Sequence, residues 1–514
     1  MLNKKFYQAQ FFIYGTITGI SVSFIYLIPF FFIGYYFFLK RTLSEKSVLT
    51  NFFSGWFFGF GFFLGSMHWI ISPFMIYEKH LILAPFVLAI FPLFLGLFFS
   101  IPSVCITKFE KKFSIQNSDF FFFKSFAISI FFFFSEYLRS IFFGGLPFNL
   151  SAHIWAFNDN FLRIASYVGV YGLTFLTIFW VIITNLVAIK KKKSFLFFLI
   201  FFPCFLFSFS FLSKKETSGE REKILVRIVQ PNIPQKEKWN RLLFQEHLEK
   251  MLRLSLSNVG NERLIVVWPE AALTVFLNEE DNLVEFLDKN LKENVTLITG
   301  GLRRSFSENN FKVFNSLYVF GKHGLLFYDK RKLVPFGEFM PLKSIFNILK
   351  LTQGETDFTI GKRARLINLR SDNVELNFEP SICYEAIFQT FNYKEVEVLI
   401  NITNDAWFGK TTGPRQHLAA SIFRSVEKGV PLVRVANSGI SVLTDKNGKI
   451  ISKLGLNESG FLEHEIELGE NATIFMKYRN KILLYITFII GLIVFLIDSL
   501  QKIKKRKSLK INRF

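Results

Sequence analysis

The strongest constraint in this sequence is a series of apolar stretches, each near the length a helix needs to cross about 30 Å of hydrocarbon. They lie at Phe52 to Ile71, Leu81 to Ile101, Phe120 to Leu138, Ile164 to Ile189, Phe195 to Leu212 and Ile482 to Leu500. With 71 Phe and only 40 acidic residues among 514, the chain has more apolar surface than one soluble core of this size can hide. The opening run, Phe11 to Leu39, would be about 43 Å long as a single helix. It contains Gly15, Gly19, Pro29 and Gly34, so two short crossings turning near Pro29 fit better than one steeply tilted helix. Lysines precede this run as in a signal peptide, but it is too long and lacks a small-residue cleavage site, so it reads as retained helices. The expectation is an α-helical polytopic membrane domain with about eight transmembrane helices.

The charges give that domain an orientation. Outside Lys214 to Asn480 there are 24 basic residues, and 20 of them fall in the two termini and the loops near 40, 110 and 190. Eight crossings with both ends cytoplasmic put those 20 inside and the large segment outside, as the positive-inside rule requires. That segment has 37 basic and 33 acidic residues, so only about +4 of the net +21 belongs to it. The basic excess is therefore a topology signal that also meets anionic headgroups, and it does not indicate nucleic-acid binding. The expected organisation is a membrane domain over 1–212 with seven helices, an external domain over 220–470, a final transmembrane helix over 481–501 and a basic cytoplasmic tail over 502–514.

Between about Ile224 and Leu468 the pattern changes to short β-branched runs alternating with helix-length polar stretches, which indicates a layered α/β domain. Strands are expected at Ile224 to Gln230, Leu264 to Trp268, Val295 to Thr299, Ser316 to Phe320, Leu325 to Tyr328, Val374 to Ile382, Val396 to Ile402 and Leu432 to Leu443. Helices are expected at Arg241 to Leu256, Asn282 to Lys292 and Arg415 to Lys428. Cys105 and Cys204 lie in or beside spans, which leaves Cys383 as the one thiol of this domain. A lone Cys outside the cytoplasm is either buried and inert or kept for its reactivity.

Three of these strands stop at a polar group: Glu270 in Val-Val-Trp-Pro-Glu, Lys330 in Phe-Tyr-Asp-Lys, and Cys383 in Pro-Ser-Ile-Cys-Tyr-Glu. Strand ends are where α/β folds build sites. Together, a carboxylate, an ammonium and a thiol can perform acyl transfer without a metal or cofactor: the carboxylate takes the thiol proton and the cation favours both thiolate and oxyanion. Taken singly, each reads as easily as a capped carboxylate, a surface lysine or a core thiol. His417, on a helix with Arg424 and Glu427 at helical spacing, reads as structural, although a Cys-His pair is the commoner thiol arrangement.

Several longer words accompany these residues. They are Gln230-Pro-Asn-Ile-Pro-Gln235 with Trp239, Trp268-Pro-Glu270, Tyr328-Asp-Lys330 running into Leu333-Val-Pro-Phe-Gly-Glu338, Cys383-Tyr-Glu385, Asn404-Asp-Ala-Trp-Phe-Gly409, and Arg434-Val-Ala-Asn-Ser-Gly-Ile-Ser441. In them the chain resembles the nitrilase superfamily, and within it the apolipoprotein N-acyltransferases of bacterial inner membranes, over nearly its whole length. The resemblance implies an αββα sandwich with Glu270 as general base, Lys330 as oxyanion stabiliser, Cys383 as nucleophile and Glu338 as a supporting carboxylate. It implies substrate-binding roles for Trp239, Tyr384, Glu385, Arg139, Pro147 and Trp407; by themselves Asp405 and Trp407 read equally as pocket wall or as packing. Two departures concern the lipid pocket: Phe148 follows Pro147 where the family usually has Trp, and Lys477-Tyr-Arg-Asn480 replaces a more usual Arg-Tyr-Gly-Asp.

The resemblance further implies a ping-pong reaction. A phospholipid acyl donor, typically phosphatidylethanolamine, loads Cys383 as a thioester, and the α-amine of an N-terminal diacylglyceryl-cysteine on an apolipoprotein takes the acyl group. Both partners are membrane-anchored, the enzyme is expected to be a monomer, and the catalytic domain is expected in the periplasm. The alternative is a membrane-tethered nitrilase-type amidase acting on a small periplasmic amide, for which a single anchor would suffice. A transporter with an external module would carry charges inside several spans, and these are nearly absent.

Overall fold

The computed structural model describes residues 2–24, 27–113, 121–190, 193–212, 222–307, 310–321, 324–341, 356–362, 365–371, 374–390, 395–470, 472–479 and 481–511. It forms two compact units: Met1–His68, Pro85–Lys215 and Lys477–Phe514 make the first, and Trp69–Ala84 with Glu216–Met476 make the second.

The first unit is helical: α1 Leu2–Ser23, α2 Ile28–Ser44, α3 Val48–Met67, α4 Ala84–Phe113, α5 Phe121–Ile141, α6 Ala165–Ile189, α7 Phe195–Leu212 and the final helix Lys481–Ile511. The opening run is broken just before Pro29, which sits in the first turn of α2, where its missing N–H leaves no bond unmade. Among the described residues six helices are long and apolar enough to cross a membrane: Val48–Met75, Glu78–Lys112, Phe121–Ile141, Ala165–Ile189, Phe195–Leu212 and Lys481–Ile503. The expected eight are not reached on length and apolarity. At 17 residues, α2 falls short of the roughly 20 that span hydrocarbon, and α1 opens on Asn3, Lys4 and Lys5.

Small residues hold α1 and α3 together at backbone contact. A Cβ built on Gly15 would lie 1.9 Å from the Phe58 carbonyl oxygen. Asp498 of the final helix is buried and accepts from the Phe122 and Phe123 backbone N–H groups, capping the otherwise open N-terminus of α5.

The second unit has strands β1 Lys223–Gln230, β2 Leu264–Val267, β3 Leu273–Phe276, β4 Val295–Ser307, β5 Asn310–Gly321, β6 Gly324–Asp329, β7 Ile367–Ser371, β8 Val374–Ile382, β9 Val398–Thr403, β10 Leu432–Ala436, β11 Ser441–Thr444, β12 Ile450–Leu454 and β13 Gly460–Glu467. Its helices include α8 Phe244–Leu256, α9 Asp281–Asn290 and α10 Gly413–Lys428. One sheet runs β13-β1-β2-β4-β5-β6 with β3 beside β4, and the other runs β12-β11-β10-β9-β8-β7.

Alternation along the strands explains the layering. Val226, Ile228, Ile265 and Val267 point to a core shared with Phe378, Ile382, Ile400, Ile402 and Val433 of the second sheet. Val229, Leu264, Val266 and Leu297 point the other way, onto Leu248, Met251 and Leu252 of α8 and Leu287 of α9. On the far side, α10 reaches the second sheet through Ser421, whose hydroxyl accepts from Arg434 at 2.9 Å. The result is the expected αββα sandwich. The run Leu432 to Leu443, expected as one strand, is two antiparallel strands, because the chain turns back at Asn437 to Ile440.

One segment departs from the expected boundary between membrane and catalytic parts. Trp69–Ala84 packs within the second unit: Trp69 Nε1 donates to Gln416 Oε1 at 2.8 Å, and its ring meets Phe408 edge-on at 4.8 Å.

Candidate active site

The parallel strands β8 and β9 end side by side, and β2, parallel in the other sheet, ends at Trp268-Pro-Glu270. Just past β2 the chain bends sharply at Ala271, whose φ is 46°. It passes so close to β4 that a Cβ on Gly300 would sit 2.4 Å from Ala271 N, so only glycine fits there. This bend turns the Glu270 side chain inward, where it is 6% exposed.

Three donors converge on that carboxylate: Lys330 Nζ at 3.1 Å and Asn315 Nδ2 at 2.8 Å on one oxygen, and the Asn404 backbone N–H at 3.0 Å on the other. Lys330 follows β6 and is 1% exposed. Its ammonium also donates to Glu338 Oε1 at 2.8 Å. Asn315 bridges both carboxylates, and the Val334 N–H at 2.9 Å holds the other Glu338 oxygen. Burial works against the charge on Lys330, but Glu270 and then Glu338 raise its pKa well above the ordinary lysine value. Burial likewise pushes Glu270 up, yet Lys330, Asn315 and Lys238 outweigh it and hold the carboxyl below its ordinary value.

Cys383 stands directly after β8 at φ 50°, a left-handed conformation costly for a residue with a side chain, and opens the turn Cys383–Ile387. Its thiol hydrogen-bonds to the Thr403 side chain, and burial, then Glu270, pushes it up to about 12, against the pull of Lys330. The resting pair is therefore a thiol beside a carboxylate.

Two buried groups fix this turn. Glu385, fully buried, accepts from Tyr328 Oη at 2.9 Å, the Arg331 and Lys332 backbone N–H groups at 2.8 and 3.2 Å, and the Ile382 N–H at 2.8 Å. Both of its oxygens are occupied within the protein, so its place differs from the substrate-facing one expected: it ties the end of β6 to the end of β8. His417 reaches the same turn from α10, with Nε2 3.1 Å from the Cys383 carbonyl oxygen, so that nitrogen donates. Nδ1 lies 2.9 Å from Asp405 and 3.2 Å from Arg434. The imidazole thus faces the backbone of Cys383, and burial, then Arg434, lowers its pKa.

Residues 225–473 match the carbon-nitrogen hydrolase family, and residues 14–183 match the apolipoprotein N-acyltransferase N-terminal domain. An apolipoprotein N-acyltransferase of Rickettsia bellii is 36% identical over 87% of this chain and 89% of its own length. One of Rickettsia prowazekii is 34% identical over 93% of this chain and 95% of its own. The chain belongs to the apolipoprotein N-acyltransferase family. Among solved structures, an amidase from Nesterenkonia sp. AN1 is 15% identical, covering 52% of this chain and 98% of that one at a TM-score of 0.32, which carries no inference.

Of the other residues expected from the family pattern, Trp239 and Trp407 are half-buried in the second unit. Tyr384 meets Phe388 edge-on at 5.1 Å, and burial raises its phenol pKa. Arg139 and Pro147 belong to the first unit and are buried there. Arg139 donates to the Leu146 and Phe148 carbonyls, and Glu136 accepts from Ser151, so this pair shapes the loop that carries Pro147. Among the described residues no three His, Cys, Asp or Glu side chains are grouped to hold a metal ion.

Sequence reasoning missed Asn315 and Lys238. Asn315 had a signal: a polar residue at an inward position of the apolar strand Phe314 to Phe320. Lys238, 4% exposed beside Trp239, had none, because lysine in a polar loop normally faces water.

Proposed function

We propose that this protein transfers an acyl chain from a phospholipid to the α-amino group of the N-terminal diacylglyceryl-cysteine of apolipoproteins. The supporting observation is one buried cluster: Lys330 bridges Glu270 and Glu338 at 3.1 and 2.8 Å beside the end of β8, where Cys383 is held at positive φ.

In the first half-reaction Glu270 takes the Cys383 proton, and the thiolate attacks the ester carbonyl carbon. Lys330 uses two of its three N–H groups on the carboxylates, which leaves one for the oxyanion. When the intermediate collapses, the ester C–O bond breaks, the glyceryl oxygen takes the proton from Glu270, and a lysophospholipid leaves a thioester behind. In the second half-reaction the neutral amine attacks the thioester and Glu270 accepts its proton. The C–S bond then breaks, and the thiolate recovers that proton as the N-acylated product departs. Glu338 keeps Lys330 charged and in place, and Glu385 keeps the turn of Cys383 fixed relative to Lys330. Trp239, Tyr384, Trp407, Arg139 and Pro147 are assigned to substrate binding.

The donor is phosphatidylethanolamine, the enzyme acts as a monomer, and residues 220–470 face the periplasm between cytoplasmic termini. Mass spectrometry of the purified protein incubated with phosphatidylethanolamine tests the reading: an acyl mass on the peptide containing Cys383, with release of lysophospholipid, is expected. A small amide turned over with no acyl adduct from phospholipid would favour the amidase instead.

A further inference from the structure

Glu270, Glu338 and Lys330 alone would leave the buried cluster with two anions and one cation. Lys238 supplies the missing charge. Its Nζ donates to the backbone oxygen of Glu270 at 2.7 Å, it is 4% exposed, and it stands close enough to interact electrostatically with both Glu270 and Cys383. Among the described residues this is the one hydrogen bond of the ammonium, so two of its N–H groups are left for water or substrate.

We infer that Lys238 is a positioning residue for the nucleophile: the second cation of the site, it makes the thiol-to-Glu270 proton transfer occur inside a charge-balanced cluster. The inference rests on the proposed roles of Cys383 and Glu270. Before transfer, the two ammoniums face Glu270 and Glu338. After transfer, Glu270 is neutral and the two ammoniums face the thiolate and Glu338. Without Lys238, the thiolate and Glu338 would share Lys330, in surroundings where an unpaired ion is strongly disfavoured.

Burial lowers the Lys238 pKa to about 8 while Glu270 and Cys383 act to raise it, so the group is mostly charged at neutral pH. The other titratable groups near it are Glu237 and His247, the latter lowered mainly by its own burial. A purely structural lysine would act only through its hydrogen bond to the Glu270 carbonyl, and the two cases can be separated because glutamine can donate but carries no charge.

The test uses full-length protein in detergent at about pH 7, where Lys238 is mostly charged, with the rate of iodoacetamide labelling of the Cys383 peptide followed by mass spectrometry, alongside thioester formation from phosphatidylethanolamine. Lys238→Gln should slow Cys383 labelling about tenfold or more, the scale of one lost neighbouring charge, and slow thioester formation at least tenfold. Lys238→Arg should restore most of both. A Lys238→Gln labelling rate equal to wild type, or a Lys238→Arg rate as slow as that of Lys238→Gln, would overturn the inference, and the arginine variant decides if the glutamine one fails to fold. Thioester formation undiminished by Glu270→Gln would remove the general-base reading itself, whatever Lys238 does.

Discussion

Replacing Glu270 by Gln separates the chemistry of this residue from its structural work. Three donors meet its two oxygens, from Lys330 at 3.1 Å, Asn315 at 2.8 Å and Asn404 at 3.0 Å. A carboxamide can present an oxygen to only one side, so its own NH2 must oppose either the Asn404 N–H or the Lys330 and Asn315 pair. Hydrogen bonds to charged groups are worth about 1.5–3 kcal/mol each. Removing one partner from a buried ion pair costs about 3–5 kcal/mol. Lys330 keeps Glu338 as a partner, so the stability loss should sit near the lower figure, about 2–3 kcal/mol. The catalytic loss is a separate quantity: a general base contributes about 100- to 10,000-fold.

Both half-reactions need that base, so they should be measured one at a time. Thioester formation from phospholipid reports the first, and transfer to a diacylglyceryl peptide from a chemically loaded thioester reports the second. The variant should be at least a hundredfold slow in both while remaining folded. Near-normal rates together with the expected stability loss would show that Glu270 only organises its donors, and would refute its role as base.

Cys383→Ser should fold and insert, because only the sulfur changes, but should form no acyl adduct, since a carboxylate cannot deprotonate an alcohol as it can a thiol; normal turnover would sink the assignment. Lys330→Ala should lose about 3 kcal/mol or more of transition-state stabilisation and leave Glu338 and Glu270 facing each other, and a rate loss below about tenfold would place Lys330 outside the chemistry. Asp405 is held at about 2 by Arg434, then His417, against its burial, so it stabilises the fold above its ordinary value of 3.8 and loses that contribution as pH falls towards 2. Asp405→Asn should therefore flatten the acid side of a melting-temperature profile of the full-length protein, and an unchanged acid side would refute the claim. A reporter fused near Leu256 should read periplasmic and one at Lys507 cytoplasmic, following the 20-to-4 split of basic residues outside the large segment. A cytoplasmic signal at Leu256 would invert the topology.

The strand ends were legible because β8 was bounded correctly at Val374–Ile382 and β2 to within a residue, so Glu270 and Cys383 could be put at the mouths of strands from pattern alone. Strands on the rim were not. β12 and β13 have exposed or mixed faces, such as the run Glu463, His464 and Glu465, and without a clean alternation they read as loop, whereas β7 alternates buried Ile367 and Leu369 with exposed Asn368 and Arg370 but is only five residues long. Of the segment from Trp69 to Ala84, only Trp69 to Ile71 and Leu81 to Ala84 were read as parts of spans, and for Trp69 hydropathy cannot distinguish packing against lipid from packing against Phe408 and Gln416. Glu385 was noticed as a word following the nucleophile, but its role depends on Tyr328 and Arg331, more than fifty residues earlier, which no local pattern reveals.

That long-range tie bears on why the site can work at all. Ala271 and Cys383 both sit at positive φ, a strain on the order of 1–3 kcal/mol each that persists only where surrounding contacts over-determine it. At Cys383 those contacts come from three directions: Glu385 binds the N–H of Ile382 just before it, His417 holds its carbonyl, and Thr403 holds its thiol. Because Glu385 also binds the backbone that follows Lys330, the nucleophile and its cation cannot move independently. Acyl transfer to an amine needs the thioester carbon, the oxyanion donor and the base to keep their geometry through two different substrates, with tolerances on the order of 0.5 Å. A fully buried carboxylate with both oxygens used internally is therefore better suited to holding Cys383 and Lys330 in register than to meeting either substrate. Glu385→Gln should accordingly harm thioester formation and amine transfer in equal proportion.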